Sequence, residues 1–256
     1  LFWLRDDFRF DKNNGLIEAT HNHDQVVAFY LYKKRVYKDQ EAQKWWLSRS
    51  LSNFRKQLNN LNITLQTIET NSFKIFFDKL INKKDFAIYW NKVYEPDYLK
   101  FDEYLLSALK SKDIQHKRFK GNTLNEFNEI KKNDGTPFKV FTPFWRTAEK
   151  YYIEKIPLKK KIIKKCKNKI NYFKSSIEPD KILPKTNWFK NFEDIWFPDE
   201  QKALKELKNF IKEKITVYSE GRNFPNIVGT SKLSPFIKFG QIHVETIWAE
   251  CIKKKS

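Results

Sequence analysis

The first 120 residues of this chain alternate between short apolar runs and longer amphipathic ones. That alternation constrains the fold more than any other feature. Leu1–Leu4 is a brief apolar run, and Gln25–Tyr32, Asn62–Ile68 and Phe86–Asn91 carry the β-branched and aromatic residues of strands; Ile114–Phe119 is a fifth such run. Between them, Leu47, Leu51, Phe54 and Leu58 recur at helical spacing, and Ser72–Ile81 and Tyr98–Leu109 repeat the pattern. Strand and helix in alternation imply a mostly parallel sheet, because each helix returns the chain to the starting end of the sheet. The expected fold class is therefore α/β, with a Rossmann-like parallel sheet over residues 1–125. Ligands of such sheets sit beyond the carboxyl ends of the strands. The polar stretches "RDDFR" (Arg5–Arg9) and "NKVYEPD" (Asn91–Asp97) fall there. No G-x-G-x-x-G follows the first strand, which excludes the common dinucleotide fingerprint.

From about residue 126 to 195 the pattern loosens into a connector. Lys155–Lys174 holds nine lysines and no acidic residue, and suits either a solvated linker or a phosphate-contacting patch. Pro179-Asp180 and Leu183-Pro184 interrupt regular structure. Residues 196–256 then read as all-helical. Leu204, Leu207, Phe210, Ile211 and Ile215 share one face, and Pro198, Asp199 and Glu200 suit the first turn of that helix. In "SPFIKFG", Ser234 is the expected N-cap, Pro235 the first helical residue and Gly240 the stop. "HVETIWAECIKKK" begins a further helix. Sixty residues are too few for a core of their own, so a second domain is expected to continue beyond Ser256. The lack of any Met suggests that the natural N-terminus is also missing.

The chain carries 50 Lys and Arg against 31 Asp and Glu, a formal charge of +19. The surplus fits a polyanionic partner, nucleic acid before anionic membrane, although AT-rich codon usage also raises Lys. Two cysteines, Cys166 and Cys251, and four histidines without ligand spacing support neither a disulfide framework nor a metal site. No apolar run is long enough to span a membrane and no signal peptide is evident, so the expectation is a cytoplasmic monomer. Aromatics reach 16%, which suits a packed core, a stacking ligand or nucleobases. The carboxylates read as solvated helix faces. No acid–base pair or nucleophile stands out, and no catalytic residue is assigned.

The segment "NIVGTSKLSPFIKFGQI" (Asn226–Ile242) concentrates polar chemistry. Gly229 permits positive φ and close backbone approach, Thr230, Ser231 and Ser234 supply hydroxyls, and Lys232 a charge. With the free N–H groups of the next helix, these residues make a seat for phosphate. They suit two ordinary helix caps and a solvated lysine equally well, and residue chemistry alone leaves both open.

In its context this segment resembles the start of the flavin-binding domain of the photolyase/cryptochrome family, in its class I-like photolyase branch. Tyr218, Arg222 and Pro225 precede G-T-S-[basic]-L-S and an apolar helix in the family's order and spacing. "FWLRDDFRFDKNNGL", "KWWLSRSL", "YEPD", "KVFTPFWR" and "DIWFPDEQKALKELKNFI" are similar to family segments, also in order; Asp199 stands where members usually have Gly. The resemblance implies an α/β antenna-type domain over 1–125, a connector over 126–195, and the beginning of a helical FAD-binding domain over 196–256. It implies FAD held by Tyr218, Thr230, Ser231, Lys232, Leu233 (through its backbone) and Ser234, and damaged DNA contacted by Arg222. A second chromophore, folate or deazaflavin, is implied at Asp97 and Tyr98, where Tyr departs from the folate pattern. The implied activity is light-dependent splitting of cyclobutane pyrimidine dimers by an electron from excited, reduced FAD. The alternatives are a cryptochrome-type photoreceptor, or a nucleotide-binding α/β module with a basic nucleic-acid-binding segment. On this resemblance the chain is the N-terminal half of such a protein, expected neither to hold FAD tightly nor to repair DNA alone.

Overall fold

The computed structural model describes residues 1–154 and 162–255. The first part runs β1 (Phe2–Leu4), α1 (Asn14–Asn22), β2 (Val27–Tyr32), α2 (Glu41–Asn59), β3 (Thr64–Glu69), α3 (Phe73–Ile81), β4 (Ile88–Asn91), α4 (Pro96–Ser111) and β5 (His116–Phe119). Four of the strands lie within the anticipated runs, and β3 extends one residue beyond its run, to Glu69. They form one parallel sheet in the order β3-β2-β1-β4-β5. The order reverses at β1, so a crevice opens between the carboxyl ends of β1 and β4, the usual ligand position in an open α/β sheet. Helix α1 is not evident from periodicity, since a Gly stands in its first turn and its apolar face is short. Its start is fixed by Asn13, whose side chain accepts from Leu16 N.

Alternate strand residues point to opposite faces, as the pleat requires. Phe2, Leu4, Ala28 and Tyr30 pack with Trp45, Leu47, Leu51 and Phe54 of α2. Trp3, Phe29, Leu31, Ile88 and Trp90 pack on the other face with Phe77 of α3 and Leu105 and Leu109 of α4. Every residue of β2 is buried, which is why that strand reads as a continuous apolar run.

The later helices are α5 (Phe141–Glu154), α6 (Phe192–Ile195), α7 (Glu200–Glu213), α8 (Tyr218–Gly221), α9 (Ser234–Lys238) and α10 (Val244–Lys255). Helix α5 lies where the sequence pattern loosens and is held by aromatic contacts, Trp145 meeting Trp248 of α10 edge-on at 5.5 Å. Residues 155–161 of the lysine-rich run lie outside the described residues. The remainder of that run crosses the outer edge of β3. Ile177 N donates to Thr67 O (2.8 Å), and Gln66 Oε1 accepts from Tyr172 N and Phe173 N (2.9 and 3.0 Å).

The segments from α7 onward dock on the α2 side of the sheet. Ala203, Leu207, Leu233, Phe236, Phe239 and Ile242 join that core. Trp46 is the pivot: its ring meets Trp196 and Phe236 at 5.5 and 5.0 Å, and its Nε1 donates to Gln241 Oε1 at 3.0 Å. Asp199 caps α7, accepting from Lys202 N at 2.7 Å, so its departure from Gly costs nothing locally. Glu200 is buried, and its carboxylate accepts from Phe10 N and Asp11 N at 2.8 and 2.9 Å. Asp7 and Asp102 are buried too. These three correct the expectation that the carboxylates are solvated: each is taken from water because fixed donors replace its hydration.

Candidate functional site

Beneath the β1/β4 crevice lies a buried polar network. Arg5 donates from Nη1 to Asp102 Oδ1 (3.0 Å), from Nη2 to Asp102 Oδ2 (3.3 Å) and from Nε to Asn91 O (3.0 Å). Asp7 accepts from Arg5 N at 2.8 Å and from Asn91 Nδ2 at 2.5 Å. Burial pushes the Asp7 carboxyl above its ordinary value, opposed by the nearby Arg9 and the Asn91 hydrogen bond. Arg9 is buried as well and donates to Gly240 O at 2.9 Å. The polar stretch after β1 is therefore mostly a structural keystone. Of its charged residues, Asp6 alone lines the cavity above.

That cavity, about 610 Å³, sits at the carboxyl end of the sheet and brings Asp97 and Tyr98 together with Asp6, Lys33, Tyr37, Glu95, Lys238 and Phe239. Pro96 opens α4, and this start places Asp97 and Tyr98 at the rim. Lys238 of α9 reaches across to Glu95 Oε1 (2.9 Å) and Asp6 Oδ2 (3.3 Å), joining the late helices to the strand ends. Burial works against the Lys238 ammonium, but Asp6 and Glu95 outweigh it and hold its pKa above the ordinary lysine value. Lys33 lies 3.9 Å over the Phe73 ring, and burial lowers its pKa, partly offset by Asp97 and Glu95. Burial also raises the Tyr98 hydroxyl. The cavity thus offers aromatic walls and charges of both signs, a setting for a flat polar ligand. Lys33 and Lys238 escaped the sequence reading, although Lys33 directly follows a strand and could have been found by that position.

The second candidate, residues 229–234, lies on the surface. Thr230, Lys232 and Ser234 are exposed, Ser231 is half-buried and Leu233 is buried. Two expectations need correction. Ser234 is not the N-cap of α9: it is the first helical residue, Leu233 precedes it, and no side chain caps the helix. Gly229 does not use positive φ; Lys232 does, at 54°. The need for Gly at 229 is close approach, because a Cβ there would stand 2.7 Å from the Gly221 carbonyl carbon. This crossing ties the turn to α8, which carries Tyr218, and to Arg222, whose guanidinium lies 5.7 Å from the Tyr218 ring centroid. Helix α9 is only five residues long, so hydroxyls and the Lys232 ammonium, more than a helix dipole, form any phosphate seat. Tyr218, Val217, Phe224, Ile227 and Val228 expose apolar surface beside it. Among the described residues, no cluster has metal-ligating composition and no helix is long and apolar enough to cross a membrane.

The chain is similar to known proteins in sequence and in fold. The deoxyribodipyrimidine photo-lyase of Agrobacterium fabrum is 30% identical over 97% of this chain and 52% of its own length. Cryptochrome-2 of Arabidopsis thaliana is 26% identical over the whole chain and 43% of its own length. The crystal structure of a bacterial class III photolyase from Agrobacterium tumefaciens superposes with a TM-score of 0.82 at 29% identity, over 97% of this chain and 52% of that one. A Synechocystis cryptochrome structure shares the fold at a TM-score of 0.79 and 19% identity, over 99% of this chain and 55% of that one. The chain spans about half the length of the curated relatives it matches. The family model for DNA photolyase matches residues 1–161, well over half of the sequence, and the chain belongs to the DNA photolyase family.

Proposed function

We propose that this chain is part of a light-dependent DNA-repair enzyme, a deoxyribodipyrimidine photo-lyase acting on cyclobutane pyrimidine dimers. The observation that carries the reading is agreement with the Agrobacterium photolyases in sequence and fold across 97% of the chain. The surface at 229–234 supports it. The exposed Thr230 and Ser234 hydroxyls and the Lys232 ammonium have no ion pair or side-chain hydrogen bond among the described residues, and Ser231 Oγ accepts from Leu233 N only at 3.4 Å. These groups fit the diphosphate of FAD. Tyr218 and the neighbouring exposed apolar side chains suit coverage by the cofactor and further protein. When bound, the flavin supplies light-driven electron transfer. The residues here anchor the phosphates, and Arg222, exposed beside Tyr218, offers a planar fork to a DNA phosphate. The Asp97–Tyr98 cavity is assigned to an antenna chromophore, folate or deazaflavin.

A second reading, a cryptochrome-type photoreceptor, is favoured by the similarity to Cryptochrome-2 over the whole chain. The deciding experiment uses the full-length protein, dimer-containing oligonucleotides and blue light. Photorepair confirms the lyase, whereas a flavin-bearing protein that leaves dimers intact under light is a photoreceptor. Lys232→Gln should weaken FAD binding by about tenfold, the loss of one exposed charge-assisted contact.

A further inference from the structure

We propose that a groove beside the start of β3, at the opposite end of the sheet from the cavity under Lys238, is a second contact for the phosphodiester backbone of nucleic acid. The groove is an open trough of about 680 Å³ between the C-terminal turns of α2, the start of β3 and the lysine-rich segment. Arg55, Lys56, Lys169 and Lys174 border it, against the single carboxylate of Glu178. Arg55 neutralises that carboxylate with a two-pronged contact of 3.1 and 2.7 Å. Lys56, Lys169 and Lys174 are exposed and have no ion pair among the described residues. The trough therefore keeps three uncompensated cations.

The lysine-rich segment is not a slack linker where it passes this groove. Cys166 N donates to Leu61 O and Lys167 N to Asp24 O, both at 2.9 Å. Tyr172 and Phe173 are held by Gln66, and Ile177 by Thr67. Lys169 and Lys174 consequently project from a pinned backbone. That pinning lowers the entropy lost when they engage a ligand. Thr64 supplies an independent sign. It is 9% exposed, lines the same groove, and its hydroxyl has no hydrogen-bond partner within the protein. A buried donor without a partner is costly and gains most from an incoming acceptor such as a phosphate oxygen.

The chemistry favours a nucleic-acid backbone. The cations are spread along an open trough, as an extended polyanion requires, and do not converge on one phosphate. Among the described residues, no exposed large apolar side chain borders the groove to enter a lipid surface. Past Arg55, Asp180 and Glu193 are both paired with Arg49. Lys56 lies ten residues along α2 from Trp46, on which α9 docks, about 15 Å away at the helical rise. The groove is thus separate from the Tyr218–Ser234 surface and from the cavity under Lys238. The proposal rests on nucleic acid being the partner and on nothing about the flavin.

The test is a salt titration of binding to undamaged duplex DNA by fluorescence anisotropy. Wild-type protein is compared with a Lys56→Gln/Lys169→Gln/Lys174→Gln variant and with a control, Lys100→Gln/Lys110→Gln/Lys112→Gln, that removes three exposed cations on and just after α4. Each lost phosphate contact should reduce the slope of log Kobs against log salt by about 0.9. The groove variant should therefore lose about 2 to 3 from the slope while the control keeps the wild-type value. An unchanged slope in the groove variant, or an equal loss in the control, overturns the proposal. So does an unchanged DNA slope with lost binding to phosphatidylserine/phosphatidylcholine vesicles, which would assign the groove to membranes. Wild-type protein that does not bind DNA at all would remove the repair reading together with the groove.

Discussion

Removal of the Asp102 carboxylate tests the buried network under the crevice. Asp102 is fully buried, and Arg5 is 3% exposed. Asp102→Ala strips Arg5 Nη1 and Nη2 of their carboxylate acceptors and leaves the guanidinium with the Asn91 carbonyl and the faces of the Trp3 and Tyr98 rings. Two unit charges about 4 Å apart interact by about 4 kcal/mol at an effective dielectric of about 20. Breaking one side of a buried pair typically costs about 3–5 kcal/mol. For a chain of this length each kcal/mol lowers Tm by about 2–4 °C, so the variant should melt about 6–20 °C below wild type. Scanning calorimetry of the 256-residue chain, with urea titration as a second probe, reads the change. An Arg5→Met/Asp102→Leu double variant removes both charges and should recover most of the loss. A melting shift under about 3 °C for Asp102→Ala, or a double variant less stable than the single one, would refute the reasoning.

Three further outcomes follow from named contacts. Gly240 sits at φ +63° with a would-be Cβ 1.9 Å from Asp6 O, so Gly240→Ala should cost at least about 2 kcal/mol, while Gly135→Ala, at φ +78° in open space, costs about 1 kcal/mol; thermal melts of the pair check this. Burial and the cation Arg9 hold the His243 pKa down to about 3, against an ordinary 6.5. The unfolded chain thus takes up a proton below pH 6.5 that the native state refuses until near pH 3, so stability falls through that window by up to about 4–5 kcal/mol. His243→Asn, which retains an acceptor for Glu245 N, should flatten that fall in urea midpoints measured from neutral pH downward. Glu200→Ala orphans Phe10 N and Asp11 N and should cost about 2–4 kcal/mol, with limited proteolysis showing α7 released before the sheet.

The inner strands β1, β2 and β4 were legible because burial on both faces forces continuous apolar runs, and β2 shows it at every position, whereas the rim strand β5 is only partly buried. Helices α2, α3 and α4 were legible from periodicity, and α7 from its apolar face and the carboxylates expected in its first turn, of which Asp199 proves to be the cap. Helix α1 was not, because its stability comes from the Asn13 cap and packing on β4, which no local pattern records. The inward turn of Arg5, Asp7 and Arg9 was also hidden. A run of charged residues after a strand looks the same whether water or Asp102, Asn91 and the Gly240 carbonyl satisfies it. Within the candidate site, the fold brings Asp97 and Tyr98 to one cavity and holds Tyr218 and Arg222 beside the 229–234 turn. The partners Lys33 and Lys238 emerge only when strand end and late helix meet, 205 residues apart in sequence. The need for glycine at 229 was visible, but its cause was not: a neighbouring main chain, and no unusual dihedral, demands it.

The hydrogen bonds between Thr67 and residues 176–177 occupy main-chain groups on β3 that a rim strand otherwise offers to any extended peptide, and the Gln66 side chain holds residues 172–173 beside them. Exposed rims of this kind are where chains recruit copies of themselves into ladders. The irregular strap therefore acts as a guard against self-association, with its lysines adding like-charge repulsion between molecules. A strap that lets go of Thr67 bares main-chain groups on the edge of β3 to such pairing.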